Sequence, residues 1–194
     1  MQIRTRMAVS LDGFVATPDG LPAWLAMPDF VPGESYGYPE FSEQIEALVM
    51  GRTTFEPAAG ADRWPWPGKQ VYVLSSRPLP QGTPDDVIAS TDGPARLVEH
   101  LRDTPVEGDL FLLGGPRTIQ AFLALGAVDT LELFILPILL GDGLPLSPPG
   151  AERFPLRLER RRAFPDGTVE HVCSLTSTGE AVGAVAGARG AAET

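Results

Sequence analysis

The chain has 194 residues, enough for one well-buried domain and too few for two of comfortable size. Its 43% hydrophobic and 21% charged residues are those of an ordinary globular protein, while a formal charge of -10 argues against a nucleic-acid or anionic-membrane surface. The single cysteine, Cys173, excludes an internal disulfide and a cysteine-based zinc site.

No apolar h-region follows the basic start at residues 1–6, and the longest uncharged apolar run, 133–140, is too short to span a bilayer. The expected setting is the cytoplasm, and the expected partners are small molecules or protein. Ile3–Ser10 reads as a first strand, broken by the turn signal Leu11-Asp12-Gly13-Phe14. Residues 16–38 read as a long loop with one short helical turn, anchored by Trp24 and Phe30; loops of that length in a compact domain are usually functional or disordered. A short helix is predicted over 39–47, with Phe41, Ile45 and Leu48 on one stripe, and a buried strand over 47–50. Gly51-Arg52-Thr53-Thr54-Phe55-Glu56 then opens a second helix.

After the stiff loop Trp64-Pro65-Trp66-Pro67-Gly68, a β-branched and aromatic strand, 70–74, ends in Ser75-Ser76-Arg77-Pro78. A short strand over 87–89 precedes a helix capped by Thr91 or Asp92, with Pro94 in its first turn and Leu97, Val98 and Leu101 on its apolar face. The strand 109–113 passes through Gly114-Gly115 into a helix stopped by Gly126. Residues 131–139 are apolar and β-prone, with Pro137 forcing an edge or bulge near the end. Two strands, 156–164 and 168–176, flank the hairpin signal Pro165-Asp166-Gly167. One domain over 1–177 is expected, followed by a disordered Gly/Ala-rich tail at 178–194 without an aromatic residue. Strands alternating with helices and a closing hairpin predict an α/β fold: a mixed, mostly parallel sheet flanked by helices, with antiparallel strands at its C-terminal side.

In such a sheet ligands bind beyond the carboxyl ends of the strands. Three polar strand ends, Gly51-Arg52-Thr53-Thr54, Ser75-Ser76-Arg77 and Gly114-Gly115, would share that rim. At a strand–Gly–helix corner the first helical N–H groups lack intrahelical partners, and glycine lets an anion approach them. The competing reading of Gly114-Gly115 is a tight turn needing positive φ. Arginine forks beside Ser and Thr hydroxyls suit a doubly charged 2′-phosphate, which favours NADPH over NADH. There is no G-x-G-x-x-G and no G-x-x-x-x-G-K-[ST], so neither a Rossmann nor a P-loop site is supported.

Five motifs in this order, Ser10-Leu11-Asp12-Gly13-Phe14, Val49-Met50-Gly51-Arg52-Thr53-Thr54-Phe55-Glu56, Leu74-Ser75-Ser76-Arg77, Leu113-Gly114-Gly115 and Leu136-Pro137-Ile138-Leu139-Leu140-Gly141-Asp142-Gly143, resemble the dihydrofolate reductase-like family. The likeness is to stand-alone relatives of the reductase domain of bifunctional riboflavin-biosynthesis deaminase-reductases. It implies NADPH-dependent reduction, with Arg52, Thr53 and Thr54 near the phosphates, Ser75, Ser76 and Arg77 around the 2′-phosphate, and Gly114 and Gly115 against the pyrophosphate; Gly51, Arg117 and Thr118 are further candidates for the cofactor rim. It further implies that the segment from Ala8 to Phe14 borders the nicotinamide, and that the protein can form a homodimer. The sequence departs from the family on the substrate side. No acid falls in register with the carboxylate that folate-reducing members carry before the Met-Gly-Arg strand, and no arginine follows Trp24-Leu25 before Arg52.

Single residues carry rival readings. Asp12 orients a nicotinamide or substrate group, or is half of an Asp-Gly turn. Trp24 and Phe41 are candidates for the substrate pocket, with the core as the other place for either ring. Glu40 is a candidate acid catalyst, although a helix N-terminus welcomes an acid anyway. His171 and Cys173 share a strand face without a third group to orient a base, and Arg160-Arg161-Arg162 reads as a solvated strand edge. The leading expectation is an oxidoreductase passing a hydride from NADPH to a C=N or C=O of a small heterocyclic or sugar-derived substrate; the alternative is a non-catalytic NADPH-binding or sensing module.

Overall fold

The computed structural model describes residues 1–27, 35–104, 107–147 and 150–175. In chain order the elements are β1 (Ile3–Ser10), β2 (Phe14–Ala16), a 3-10 turn (Ala23–Ala26), α1 (Tyr38–Glu43), β3 (Ile45–Gly51), α2 (Arg52–Ala59), β4 (Gln70–Leu74) and β5 (Val87–Ser90). They continue with α3 (Gly93–Asp103), β6 (Asp109–Gly114), α4 (Pro116–Ala124), β7 (Thr130–Leu136), β8 (Leu144–Pro145), β9 (Leu156–Ala163) and β10 (Val169–Leu175). Eight strands form one sheet in the order β5-β4-β3-β6-β1-β7-β10-β9. The first six in that order are parallel, and β10 and β9 run antiparallel beyond them. Six parallel strands therefore deliver their carboxyl ends to one rim.

The apolar runs of β3 and β6 are continuous because both faces of these strands are covered. On one face Ala47, Val49, Leu110 and Leu112 pack against Leu97, Val98 and Leu101 of α3 and Ile119 and Phe122 of α4. On the other, Leu48, Met50 and Phe111 pack against Phe41 of α1 and Phe55 of α2, with Trp64 and Trp66 at the margin. Burying side chains of this size stabilises by about 1.5–3 kcal/mol each, and Phe55 and Phe122 are wholly enclosed.

Several boundaries differ from the sequence reading. The helix expected over 39–47 stops at Glu43, because Asp109 N–H donates to the Gln44 carbonyl at 2.8 Å and draws the chain into the sheet at Ile45. Lys69 Nζ donates to the carbonyls of Ser42 (3.1 Å) and Ile45 (2.5 Å), supplying the cation a helix C-terminus favours. β7 ends at Leu136, one residue before Pro137, which has no N–H for the ladder. Asp92 does stand at the N-cap of α3, but its side chain makes no capping bond there. The small β2–β8 sheet was not expected: two strands of three and two residues carry no periodicity to read. Phe30 and the predicted tail at 178–194 lie outside the described residues.

One buried ionic group was hidden in the sequence. Glu132, 2% exposed, sits in the middle of an apolar strand. It accepts Arg4 Nη2 at 2.5 Å and lies 3.6 Å from Arg6 Nη1. Arg4 Nη1 also donates to Gln44 Oε1 at 2.7 Å, and both guanidinium groups stand over the Phe41 ring, at 4.8 and 5.2 Å. The group joins β1, β7 and α1, and the low-dielectric setting makes each partner depend on the other. Arg160 likewise does more than coat an edge, pairing at 2.8 Å with Glu170, which is 3% exposed. Glu132→Ala takes the buried carboxylate from Arg6 and leaves Arg4 only Asp109, at 3.3 Å, and is expected to lower stability by about 3–5 kcal/mol, read as a drop in the urea midpoint; a change within error would show that the pairing contributes little.

Candidate cofactor and substrate site

β3 leaves the sheet at Gly51, the N-cap of α2, and β6 leaves at Gly114, followed by Gly115 as the N-cap of α4. Neither helix has a side-chain cap, so their first amides open on the rim. In α4 the Gly115 carbonyl accepts the N–H groups of Thr118 and Ile119 at 2.9 and 3.1 Å, and Pro116 has none, which leaves the Arg117 amide facing outward. The two corners interlock. A Cβ on Gly51 would lie 2.8 Å from Thr118 Oγ1, and one on Gly115 would lie 3.4 Å from Thr54 Oγ1.

The glycines of the two corners have different physical reasons. Gly51 and Gly115 have ordinary φ values of -82° and -74°, so closeness of the helices and not backbone handedness explains them. Gly114 has φ +126°, in the region that favours glycine, and the peptide that follows it is cis. Its missing side chain also admits Met7 Cε, 3.3 Å from where a Cβ would stand, which brings β1 to the same corner.

The third strand end is tied to the second by Arg52. Its Nη1 donates to Ser75 Oγ (3.0 Å) and to the carbonyls of Arg77 (3.2 Å) and Pro78 (2.8 Å), while Nε pairs with Glu56 at 2.7 Å. Ser75 is buried, donates to the Arg77 carbonyl at 2.7 Å and accepts the Arg77 N–H at 3.2 Å. Arg52 and Ser75 thus build the loop that presents Ser76 and Arg77, both exposed, at the rim. Thr53 and Arg117 are exposed, Thr54 is half-buried and Thr118 is buried.

On the β1 side, half-buried Ala8 packs against the cluster of Ala23, Met27 and Leu136, as do Ile138 and Leu140, so the 3-10 turn stands beside it. Trp24, 40% exposed, is on that turn. Asp12 is an acceptor for three donors: Ser10 Oγ (2.6 Å), Leu140 N–H (3.2 Å) and Gly141 N–H (2.7 Å). The Ser10 hydroxyl first, and the Gly141 amide next, hold this carboxyl below the usual carboxylate range.

Phe41 and Glu40 sit elsewhere. Phe41 is 3% exposed and makes an edge contact with Phe111 at 4.9 Å, which places it in the core. Glu40 is exposed on α1, whose end leads through Gln44 into the start of β3, while Gly51 lies at the other end of that strand. The structure therefore brings together Ala8, Gly51, Arg52, Thr54, Ser75, Arg77, Gly114, Gly115 and Thr118, and sets Glu40 and Phe41 apart. Sequence reading missed the loop 138–141 as a partner of Asp12; Gly141-Asp142-Gly143, a turn signal just past an apolar strand, was the available sign.

A mixed, mostly parallel eight-stranded sheet flanked by helices, with a small antiparallel sheet beside it, is the dihydrofolate reductase-like fold. Dihydrofolate reductase from Enterococcus faecalis, solved with NADP(H), superposes with a TM-score of 0.64 at 16% identity, over 91% of this chain and 97% of that one. Within the class the chain belongs to the RibD C-terminal domain family, whose model matches residues 2–170. A protein of Shewanella sp. PV-4 whose name places it in riboflavin biosynthesis is similar at 28% identity and TM-score 0.76, over 91% of this chain and 100% of that chain. The uncharacterized protein YyaP of Bacillus subtilis is 30% identical over 179 residues, 86% of this chain and 90% of its own.

The interlock has its own test. Gly51→Ala should destabilise the protein, and the loss should shrink by about 1 kcal/mol in a Thr118→Ala background, where the crowded hydroxyl is gone. Additive effects in this double-mutant cycle would mean that the two corners do not touch.

Proposed function

We propose that this protein is an NADPH-dependent reductase that delivers a hydride to a C=N or C=O centre of a small heterocyclic or sugar-derived substrate. The observation that carries the reading is the pair of uncapped helix starts, α2 and α4, interlocked through Gly51 against Thr118 and Gly115 against Thr54. Two positive helix ends this close, without side chains of their own to satisfy them, suit a pyrophosphate. Family membership supports a reductase fold, and the site chemistry supports the phosphorylated cofactor.

The residues fit NADPH part by part. Amides at the starts of α2 and α4 would receive the pyrophosphate, with Thr54 at the crossing. Ser76 and Arg77 would hold the 2′-phosphate, on a loop shaped by Arg52 and Ser75. Ala8 would support the nicotinamide, with Trp24 at the edge of the substrate cleft. When bound, the cofactor supplies the hydride. The chain's own share is orientation: half-buried Ala8 gives a flat apolar floor, and the fixed donors of the rim set the depth of the ligand above it. Asp12 is already an acceptor for three donors and Glu40 is beyond the far end of β3, so in this reading water supplies any proton the substrate needs.

Steady NADPH oxidation in the presence of one member of a panel of pterins, pyrimidines and dihydrofolate is expected. Tight NADPH binding without oxidation across the panel would instead identify a binding module. For the cofactor itself, Arg77→Ala should weaken NADPH by about 1.5–3 kcal/mol, the worth of charge-assisted bonds to a phosphate, and leave NADH nearly unchanged. Equal losses for the two cofactors in titration calorimetry would contradict the assignment.

A further inference from the structure

We infer that Asp12 is a positioning residue: its carboxylate staples the 138–141 loop to the end of β1, and through that loop fixes the 3-10 turn that walls the cleft over Ala8. The inference rests on the reductase reading for its catalytic consequence, and on the geometry alone for the staple.

The staple is built from both sides. Ser10, at the last position of β1 and 2% exposed, donates to Asp12 Oδ1 at 2.6 Å and accepts the Phe14 N–H at 2.9 Å, which closes the turn and aims the carboxylate across to the neighbouring loop. There the two oxygens divide the work. Oδ1 accepts the Leu140 N–H at 3.2 Å and Oδ2 accepts the Gly141 N–H at 2.7 Å. The backbone adds a parallel tie, Leu11 N–H to the Ile138 carbonyl at 2.9 Å. Further along, Leu146 N–H donates to the Gly13 carbonyl at 2.9 Å, and β8 pairs with β2. Gly143 approaches so closely that a Cβ there would fall 2.1 Å from the Ala16 carbonyl oxygen.

What this loop carries gives the staple its consequence. Ile138 and Leu140 pack directly on the small cluster of Ala23, Met27 and Leu136 that also contacts Ala8. The bonds to Asp12 add to this apolar contact in holding the loop, and through the loop the 3-10 turn. Trp24 and Leu25, 40% and 43% exposed, stand on that turn and face outward. A carboxylate with three donors aimed at it is a fixed acceptor and has no proton to give, which suits a positioning role and not that of an acid catalyst.

Asp12→Asn tests the inference, because the amide keeps the shape while turning a donor toward one of the loop N–H groups. Hydrogen exchange of the substrate-free protein is expected to speed up in peptides covering 138–141 and 20–27, with the core peptide 109–114 unchanged. With the substrate found in the panel, kcat should fall roughly tenfold or more, as for a small misplacement of reacting atoms, while KM for NADPH and its Kd by fluorescence titration stay within about twofold. Asp12→Glu, which keeps the charge, should recover part of both the exchange protection and kcat. Unchanged exchange at 138–141 overturns the staple, and faster exchange there with 20–27 unaffected overturns the link to the cleft wall. A loss of kcat with exchange unaltered would make Asp12 an acid catalyst and overturn the inference also. If the wild-type protein neither binds nor oxidises NADPH, the reductase reading fails by itself, and the exchange measurements still decide whether the staple exists. Should Asp12→Asn not fold, Ser10→Ala, which removes only the supporting hydroxyl, is expected to give the same exchange pattern in milder form, and its absence counts against the staple.

Discussion

The close approach of α2 and α4 governs the geometry of everything at the rim. Each helix begins where a central parallel strand ends, and β3 and β6 are adjacent in the sheet, so the two starts are set side by side by strand pairing alone. Side chains at the crossing would push them apart. Gly51 and Gly115 remove that obstacle, and Thr118 and Thr54 fill the space left, which leaves two uncapped amide groups pointing the same way. A protein with formal charge -10 repels anions at long range. For the proposed anionic cofactor, local amides and the cations of the adjoining loop would have to overcome that field, so the corner geometry would matter more here than in a basic protein.

The remaining strand ends extend the same edge. Arg52 spends its donors on the backbone of residues 77 and 78 and on Ser75, so it shapes a loop, and the charge that faces outward is Arg77. Arg4 and Arg6 belong to a different economy: they share a face of β1 with Ala8, yet they neutralise Glu132 and pack on Phe41. The sheet thus carries, in succession along one strand, a buried ionic layer, an apolar floor at Ala8 and the hydroxyl of Ser10 at the rim.

Much of this was legible in the chain. Alternating strands and helices, the two strand–Gly–helix corners and the terminal hairpin follow from apolar runs and turn residues whose physical demands are local. The five ordered motifs placed the chain in its family for the same reason, since each lies at a strand end. What escaped the sequence depends on pairing between distant segments. Glu132 reads as a flaw in an apolar strand until β1 brings Arg4 and Arg6 beside it. Asp12 reads equally as a turn residue or as one that orients a nicotinamide or substrate group, and its bonds to the distant loop 138–141 leave no mark in its neighbouring residues. Phe41 sits on a helical stripe, and periodicity says that it is buried without saying whether a ligand or Phe111 lies opposite. Glu40 illustrates the limit of helix-end reasoning, because an acid in a first turn is favourable wherever that turn points.

The most direct measurement is a crystal structure of the protein grown with NADPH. The account predicts the pyrophosphate within hydrogen-bond reach of amides at the starts of α2 and α4, the 2′-phosphate on Ser76 and Arg77, and the nicotinamide over Ala8. Density for the cofactor at any other place on the protein, or a complex in which the Gly51 and Gly115 corners make no contact with its phosphates, would contradict it.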